Sequence, residues 1–198
     1  MTVLEDHERL YRAKAGVLEL VEVPPARFLA IDGKGRPGDE TFQEAIAALF
    51  SIAYMAKFTL KKAAGENVKV PPLEGLYSGI GLESFDEVAR QPLEWTLMLR
   101  LPEPIDDALV ERARADARRK HPLAALDSVR IEHFAEGACV QALHVGPYAT
   151  EPVTVDLMRE FIRSQGLEPR GRHHEIYLGD PRRVKPERLK TILRQPVA

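Results

Sequence analysis

With 198 residues and a formal net charge of −2, the chain suits one large domain or two small halves sharing a core, and it has no whole-molecule attraction for nucleic acid. Its 44% hydrophobic and 29% charged residues exclude wholesale disorder. A lone cysteine, Cys139, excludes an internal disulfide framework and fits a reducing compartment. No basic-then-apolar leader opens the chain and no apolar run approaches the ~18 residues of a membrane span, so a cytoplasmic protein without a membrane partner is expected.

Two short extended segments open the pattern, Val17–Val23 and Arg27–Ile31, separated by Pro24-Pro25, which cannot donate to a sheet ladder. A loop over Gly33–Gly38 precedes a helix from about Asp39 to Ala64. Phe42, Ile46, Leu49, Ala53, Ala56 and Leu60 step along it by threes and fours as a buried stripe, and Phe50, Tyr54 and Phe58 form an adjoining aromatic one. Strands follow around Val68–Ser78 and Glu94–Leu101. Asp106 then caps a helix to about Lys120. Strands recur at Val129–Phe134 and Ala138–Val145. Pro152 opens a third helix with a stripe of Val153, Leu157 and Phe161, closed at Gly166. His173–Leu178 reads as a strand, and Pro186 as the start of a short final helix through Leu193.

The order strand, strand, helix, strand occurs twice, the second time beginning near Val129. Both strand-to-helix joints carry Gly then Pro, Gly35-Arg-Pro37 and Gly146-Pro147. The expected fold is therefore α+β: duplicated β-α-β-β units, an antiparallel sheet with helices packed on one face, and a ligand cleft between the repeats. Residues 1–15 read as an N-terminal extension. Residues 16–198 read as one domain, with repeat one at about 16–125 and repeat two at about 126–198.

Several motifs invite chemistry. Gly33-Lys-Gly35-Arg-Pro-Gly38 matches the dinucleotide-binding glycine pattern, but no acidic strand end follows about 20 residues on, and a Gly/Pro turn accounts for it better. His173 and His174 are adjacent on a strand and point to opposite faces, which argues against a shared metal; no metal and no cofactor are expected. Cys139 stands in an apolar alternating strand, where a buried structural thiol is the common case. The stretch Arg170–Arg194 holds eight Arg and Lys residues, read as solvated surface rather than a nucleic-acid footprint. Glu175 shares a strand face with His173 and Tyr177. Spacing alone leans to a solvent-facing side chain and leaves open a polar-floored pocket. Trp95 lies in the corresponding strand of the first repeat, with its facing undecided by one residue of register.

The segments Glu136-Gly-Ala-Cys-Val-Gln-Ala-Leu-His-Val-Gly-Pro-Tyr148 with Glu151-Pro152, His173-His-Glu-Ile-Tyr-Leu-Gly-Asp-Pro-Arg-Arg183 and Leu189-Lys-Thr-Ile-Leu-Arg-Gln-Pro196 resemble the second-repeat signature of GyrI-like small-molecule-binding domains. Pro72-Leu-Glu-Gly-Leu76 and Glu94-Trp-Thr-Leu-Met98 resemble the stand-alone branch of that family. The resemblance spans roughly Gly16 to the C-terminus. It implies a ligand cleft between repeats. In that branch it also implies hydrolases that open the cyclopropane ring of DNA-alkylating natural products within an aromatic cage. About 15 residues precede the domain, too few for a helix-turn-helix, so direct DNA binding is not expected. The family's ligand-site acid corresponds to Glu175 and its Gly-Pro-Tyr tyrosine to Tyr148. Tyr77-Ser78 stands where two tryptophans are common, which reshapes the cage.

These readings converge on hydrophobic, aromatic and often cationic small molecules as partners, and leave homodimerisation open. Tyr54, Tyr77, Trp95, Tyr148, Glu175 and Tyr177 are the expected ligand-binding residues. In a binding protein Glu175 is the counter-ion to a flat cation, with stacking and cation–π contacts from the rings. In a hydrolase Glu175 is the general base on water, and Tyr148 or His144 donates to the oxygen on which charge develops. A non-enzymatic drug-binding or protein-inhibitory module is the alternative.

Overall fold

The computed structural model describes residues 10–78 and 93–198; residues 1–9 of the expected extension lie outside the described residues. The fold is α+β. In chain order the described residues form β1 (Leu18–Val23), β2 (Ala26–Lys34), α1 (Glu40–Ala64), β3 (Leu73–Tyr77), β4 (Glu94–Arg100), α2 (Asp107–Lys120), β5 (Arg130–Phe134), β6 (Gly137–Val145), α3 (Glu151–Ser164), β7 (His173–Tyr177) and β8 (Lys190–Pro196). No described helix is long and apolar enough to cross a membrane. The described residues fall into two compact units: a first within Met1–Pro25, Glu74–Gln91 and Ala135–Ala198, and a second within Ala26–Leu73 and Pro92–Phe134.

In the first unit the strands lie in the order β1-β6-β8-β7-β3. β6 pairs antiparallel with β1 and β8, and β8 pairs antiparallel with β7. Residues directly opposite each other in an antiparallel ladder share a face, and alternate residues change face. Ala142 therefore faces the same way as Leu193 and Glu175, while Gln141 faces the other way with Arg194 and His174. α3 covers the first of these faces. Its Val155, Met158 and Ile162 pack against Val140, Ala142, Leu193 and Val197. Burying such aliphatic side chains contributes roughly 1.5–3 kcal/mol each.

In the second unit β2 is central, paired antiparallel with β4 and β5. α1 buries Phe42, Ala45, Ala48, Leu49, Ile52, Ala53 and Ala56. It stops at Gly65, whose left-handed backbone (φ 74°) lets its N–H reach the Lys61 carbonyl. α2 starts where the Asp106 carboxylate accepts the Leu109 N–H at 2.8 Å, as the sequence predicts, and buries Val110, Ala113 and Ala117. Gly33 lies opposite Trp95 in the β2–β4 ladder, and the indole occupies the space a Cβ would need. Gly33 thus makes room for a packed ring.

Two expectations are corrected. Pro186–Leu193 is not a helix: a single 3₁₀ turn, Pro186–Arg188, leads into β8, which is buried from Thr191 to Pro196. A strand buried on both faces loses the polar–apolar alternation that would mark it. The stripe on α3 is also displaced. Val153 and Leu157 are 66% and 51% exposed, while Glu151, Val155, Met158 and Ile162 are buried. The helix carries two rival apolar series, and the buried one begins with a glutamate that periodicity counts as polar.

Candidate functional site: a buried carboxyl pair beneath a helix start

β7 reads His-His-Glu-Ile-Tyr, and the ladder turns His173, Glu175 and Tyr177 toward the α3 side. Glu175 is only 8% exposed, which corrects the lean toward a surface position; α3 and the neighbouring strands enclose a face that local spacing reads as open. The Tyr177 hydroxyl donates to Glu175 Oε2 at 2.7 Å and lies 2.5 Å from the Tyr77 hydroxyl. With the Tyr177 proton spent on the carboxylate, Tyr77 is the donor to Tyr177. Burial pushes the pKa of both tyrosines well above the ordinary range and the Glu175 charge adds to it, so both hydroxyls remain protonated. Tyr77 closes over Gly75, where a Cβ would meet its ring.

Glu151 is the first residue of α3 and is 6% exposed. Its Oε1 is buried without a well-aligned hydrogen bond, and so is Thr191 Oγ1, although the Thr191 hydroxyl is near enough to Glu151 to lower its pKa somewhat. Thr191 lies between His144 and Tyr177 in the β6–β8–β7 ladder. Burial raises the pKa of both Glu151 and Glu175. The Glu175 charge raises that of Glu151 further, whereas the Tyr177 hydrogen bond and His174 partly lower that of Glu175. The Tyr148 ring meets the Tyr177 ring edge-on, with centroids 5.9 Å apart at 84°. Tyr148 is 38% exposed, and burial, then Glu151 and Glu175, push its phenol up to about 12.

His144 is fully engaged: Nδ1 lies 2.9 Å from Thr154 Oγ1, and Nε2 lies 3.2 Å from Thr150 Oγ1 and 3.3 Å from the Pro147 carbonyl. It pins the β6-to-α3 connection that delivers Tyr148 and Glu151. His173 Nε2 is 3.7 Å from Glu175 Oε1, beyond hydrogen-bond reach. Burial, then the charge on His174, drop the His173 pKa to about 3, so it is neutral at pH 7 and brings no compensating charge.

The opposite face is built differently. A file of polar side chains crosses it from strand to strand. Gln141 donates to Glu19 at 3.2 Å and Arg194 Nε donates to Gln141 at 2.7 Å. His174 Nδ1 lies 3.0 Å from both Glu136 oxygens. Glu74 Oε2 is 3.0 Å from His174 Nε2 as an ion pair, out of line for a hydrogen bond. Tyr11 donates to Glu74 at 2.6 Å, and Arg194 also donates to the Leu10 carbonyl. Burial opposes charge on His174, but Glu136 and then Glu74 outweigh it and push its pKa up to about 9. Burial likewise opposes charge on Glu136, but His174 and Arg194 hold it below its ordinary value. Cys139 is buried on this face, its thiol pushed up chiefly by burial, in line with a structural role.

In the second unit, Trp95 is buried edge-to-face on Phe42 at 5.2 Å, its Nε1 without a partner. Tyr54 is 44% exposed and stacked between Phe50 and Phe58 at 6.0 and 6.2 Å. Among the described residues no group of three or more His, Cys, Asp or Glu side chains is disposed to hold a metal.

The model of the GyrI-like small molecule binding domain matches residues 18–198. The chain belongs to this family. An uncharacterized conserved protein from Listeria innocua is 37% identical to this GyrI-like chain, with 98% of each chain covered and a TM-score of 0.87. A Listeria innocua protein described as a hydrolase is 36% identical, again with 98% of each chain covered, at a TM-score of 0.84. The EcmrR C-terminal domain shares the fold at a TM-score of 0.56 with 11% identity, covering 92% of this chain and 97% of its own. No curated protein matches the chain.

Sequence reasoning named Tyr77, Tyr148, Glu175 and Tyr177, and the first unit brings them together. It missed Glu151 as a site residue, because an acid in the first turn of a helix is an everyday complement to the macrodipole. It also missed the Glu74–His174–Glu136–Arg194 network, whose members are scattered over four separate segments of the chain.

Proposed function

We propose that this GyrI-like protein binds planar, hydrophobic small molecules carrying positive or electrophilic character, with Glu175 at the centre of the site. The observation that carries the reading is a nearly buried carboxylate held by the Tyr77–Tyr177 hydroxyl relay with no Lys or Arg ion pair among the described residues. A charge desolvated in that way is costly, and a cationic ligand supplies what the protein withholds. Tyr148 and Tyr177 offer ring faces and edges, each good contact contributing roughly 0.5–2 kcal/mol.

A second reading is hydrolysis of a strained electrophile such as a cyclopropane-bearing alkylator. It is favoured by the rise of the Glu175 pKa through burial, which suits a general base acting near neutral pH. Homologues from Listeria innocua described as hydrolases support it. In that reading Glu175 takes a proton from water as its oxygen adds to ring carbon. The Tyr148 hydroxyl, half-exposed and protonated, donates to the oxygen that receives the released electron pair.

Fluorescence titration of a permanently cationic planar dye and an uncharged one of the same size tests the binding reading, with the product mass of an added cyclopropane-bearing alkylator followed in parallel. The cation is expected to bind about tenfold or more tighter, and Glu175→Gln to remove that preference. Equal affinities in wild type and variant overturn the assignment. Ring-opened product that disappears in Glu175→Gln makes the protein a hydrolase.

A further inference from the structure

We infer that Glu151 is the second acid of this site, that in the ligand-free protein Glu151 and Glu175 hold one proton between them, and that a cationic ligand displaces it. The inference rests on the proposed reading that ligands bind at Glu175, and it adds a partner to that carboxylate.

The two carboxyls reach the same side of the sheet from different elements, Glu175 from β7 and Glu151 from the first residue of α3. Both are more than nine-tenths buried. Among the described residues neither carboxyl has a Lys or Arg ion pair; Arg159 of α3 is felt by His173 on that side but is itself paired with Asp156 at 2.9 Å. Tyr77 from β3 and Tyr177 from β7 are protonated hydroxyls, and Tyr148 is a protonated phenol with Asp180 beyond it. His144 from β6 is occupied by threonine hydroxyls and a carbonyl, and His173 is neutral. Charged His174 acts on Glu175 from the opposite face, where it is already shared between Glu136 and Glu74. Two buried carboxylates whose nearest cations are already engaged elsewhere resist ionising together, and such a pair titrates as a unit.

The unpartnered atoms indicate where the ligand meets the pair. Glu151 Oε1 and Thr191 Oγ1 are both buried and make no well-aligned hydrogen bond, although the Thr191 hydroxyl is near enough to Glu151 to lower its pKa, and native proteins rarely leave buried polar atoms so poorly satisfied without a use. A ligand bearing a positive charge, or N–H donors on a planar body, satisfies both and stabilises the second carboxylate. The proton balance is simple. The carboxyl O–H bond breaks, the proton passes to buffer, and the cation pairs with two carboxylates.

Calorimetry of ethidium binding in two buffers of different ionisation enthalpy, near pH 7.5, reads the proton directly, because ethidium has no proton of its own to exchange at that pH. Wild type is expected to release about one proton per dye bound, and Glu151→Gln, which binds more weakly, close to none per dye bound at saturating dye. Binding without release in wild type, or release unchanged in Glu151→Gln, overturns the inference while leaving the Glu175 reading intact. Should ethidium not bind at all, the Glu175 reading fails. Carbon-13 NMR of glutamate carboxyls in the ligand-free protein then decides the inference alone. One resonance that moves at unusually high pH, and shifts toward ordinary titration in Glu151→Gln, supports proton sharing; ordinary titration of both carboxyls overturns it.

Discussion

The first unit buries two pairs of carboxyl groups on opposite faces of one sheet and treats them in opposite ways. Glu74 and Glu136 are interleaved with His174 and Arg194, so two negative charges meet two positive ones. Glu151 and Glu175 have no Lys or Arg ion pair among the described residues and feel His174 only from the opposite face, and their pKa values rise where that of Glu136 falls. The strands and the burial are shared, so the difference lies in side-chain chemistry at alternate positions. A compensated pair holds structure together, whereas an uncompensated pair stores a deficit that a ligand can relieve.

The largest expected effect falls on the compensated face. His174→Ala leaves Glu74 and Glu136 as neighbouring buried acids and is expected to cost about 3–5 kcal/mol of unfolding free energy, read from urea midpoints. His174 also fixes a pH dependence. Its folded pKa is raised to about 9, so its stabilisation is complete below its unfolded value and is lost as pH rises toward 9. Glu136 has the opposite sign: its folded pKa is lowered, so its contribution is present above the ordinary carboxylate range and fades on acidification.

On the other face the effects are smaller. Tyr177→Phe removes the donor to Glu175 and the acceptor of Tyr77 together, and is expected to cost about 1–3 kcal/mol while raising the Glu175 pKa further. The same urea series checks it, and a loss below about 0.5 kcal/mol would show that the relay contributes nothing to folding. Glu151→Gln is expected to change stability least. Near pH 5 wild type and variant should lie within about 0.5 kcal/mol, with the variant gaining as pH rises.

Much of the architecture was legible in the sequence. Helix starts at Asp39, Asp106 and Pro152 carry local signals, and the strands around Glu94–Arg100 and Gly137–Val145 stand out by β-branched and apolar content. β8 was misread because burial on both faces erases alternation, and Pro186 imitates a helix start. The site was half legible. Tyr77, Tyr148, Glu175 and Tyr177 were found through a motif resemblance, but the burial of Glu175 follows from α3 lying across the sheet, a tertiary fact that local spacing does not encode. Glu151 stands in the quoted signature as Glu151-Pro152, but nothing there marks it as a site residue, since an ordinary first-turn acid and a buried one are written alike. The expected proton-donor role of His144 meets a ring whose two nitrogens hold the α3 connection in place.

The unfolding free energy of wild type and of the Glu151→Gln/Glu175→Gln double variant, measured in urea across pH 5 to about 8.5, tests most directly whether one acid pair is uncompensated. A carboxyl whose folded pKa is raised binds its proton more tightly in the folded protein, so folding weakens as pH climbs from the ordinary carboxylate range to the raised value. The part of the His174 slope set by Glu136 and Glu74 is common to both proteins and cancels in their difference, and a His174→Gln background removes the part that Glu175 contributes. The account predicts that the double variant gains steadily on wild type as pH rises, by up to about 1.4 kcal/mol per pH unit for each proton involved. Parallel curves across the whole range would contradict it, and would mean that Glu151 and Glu175 ionise in the folded protein as readily as they do in the unfolded chain.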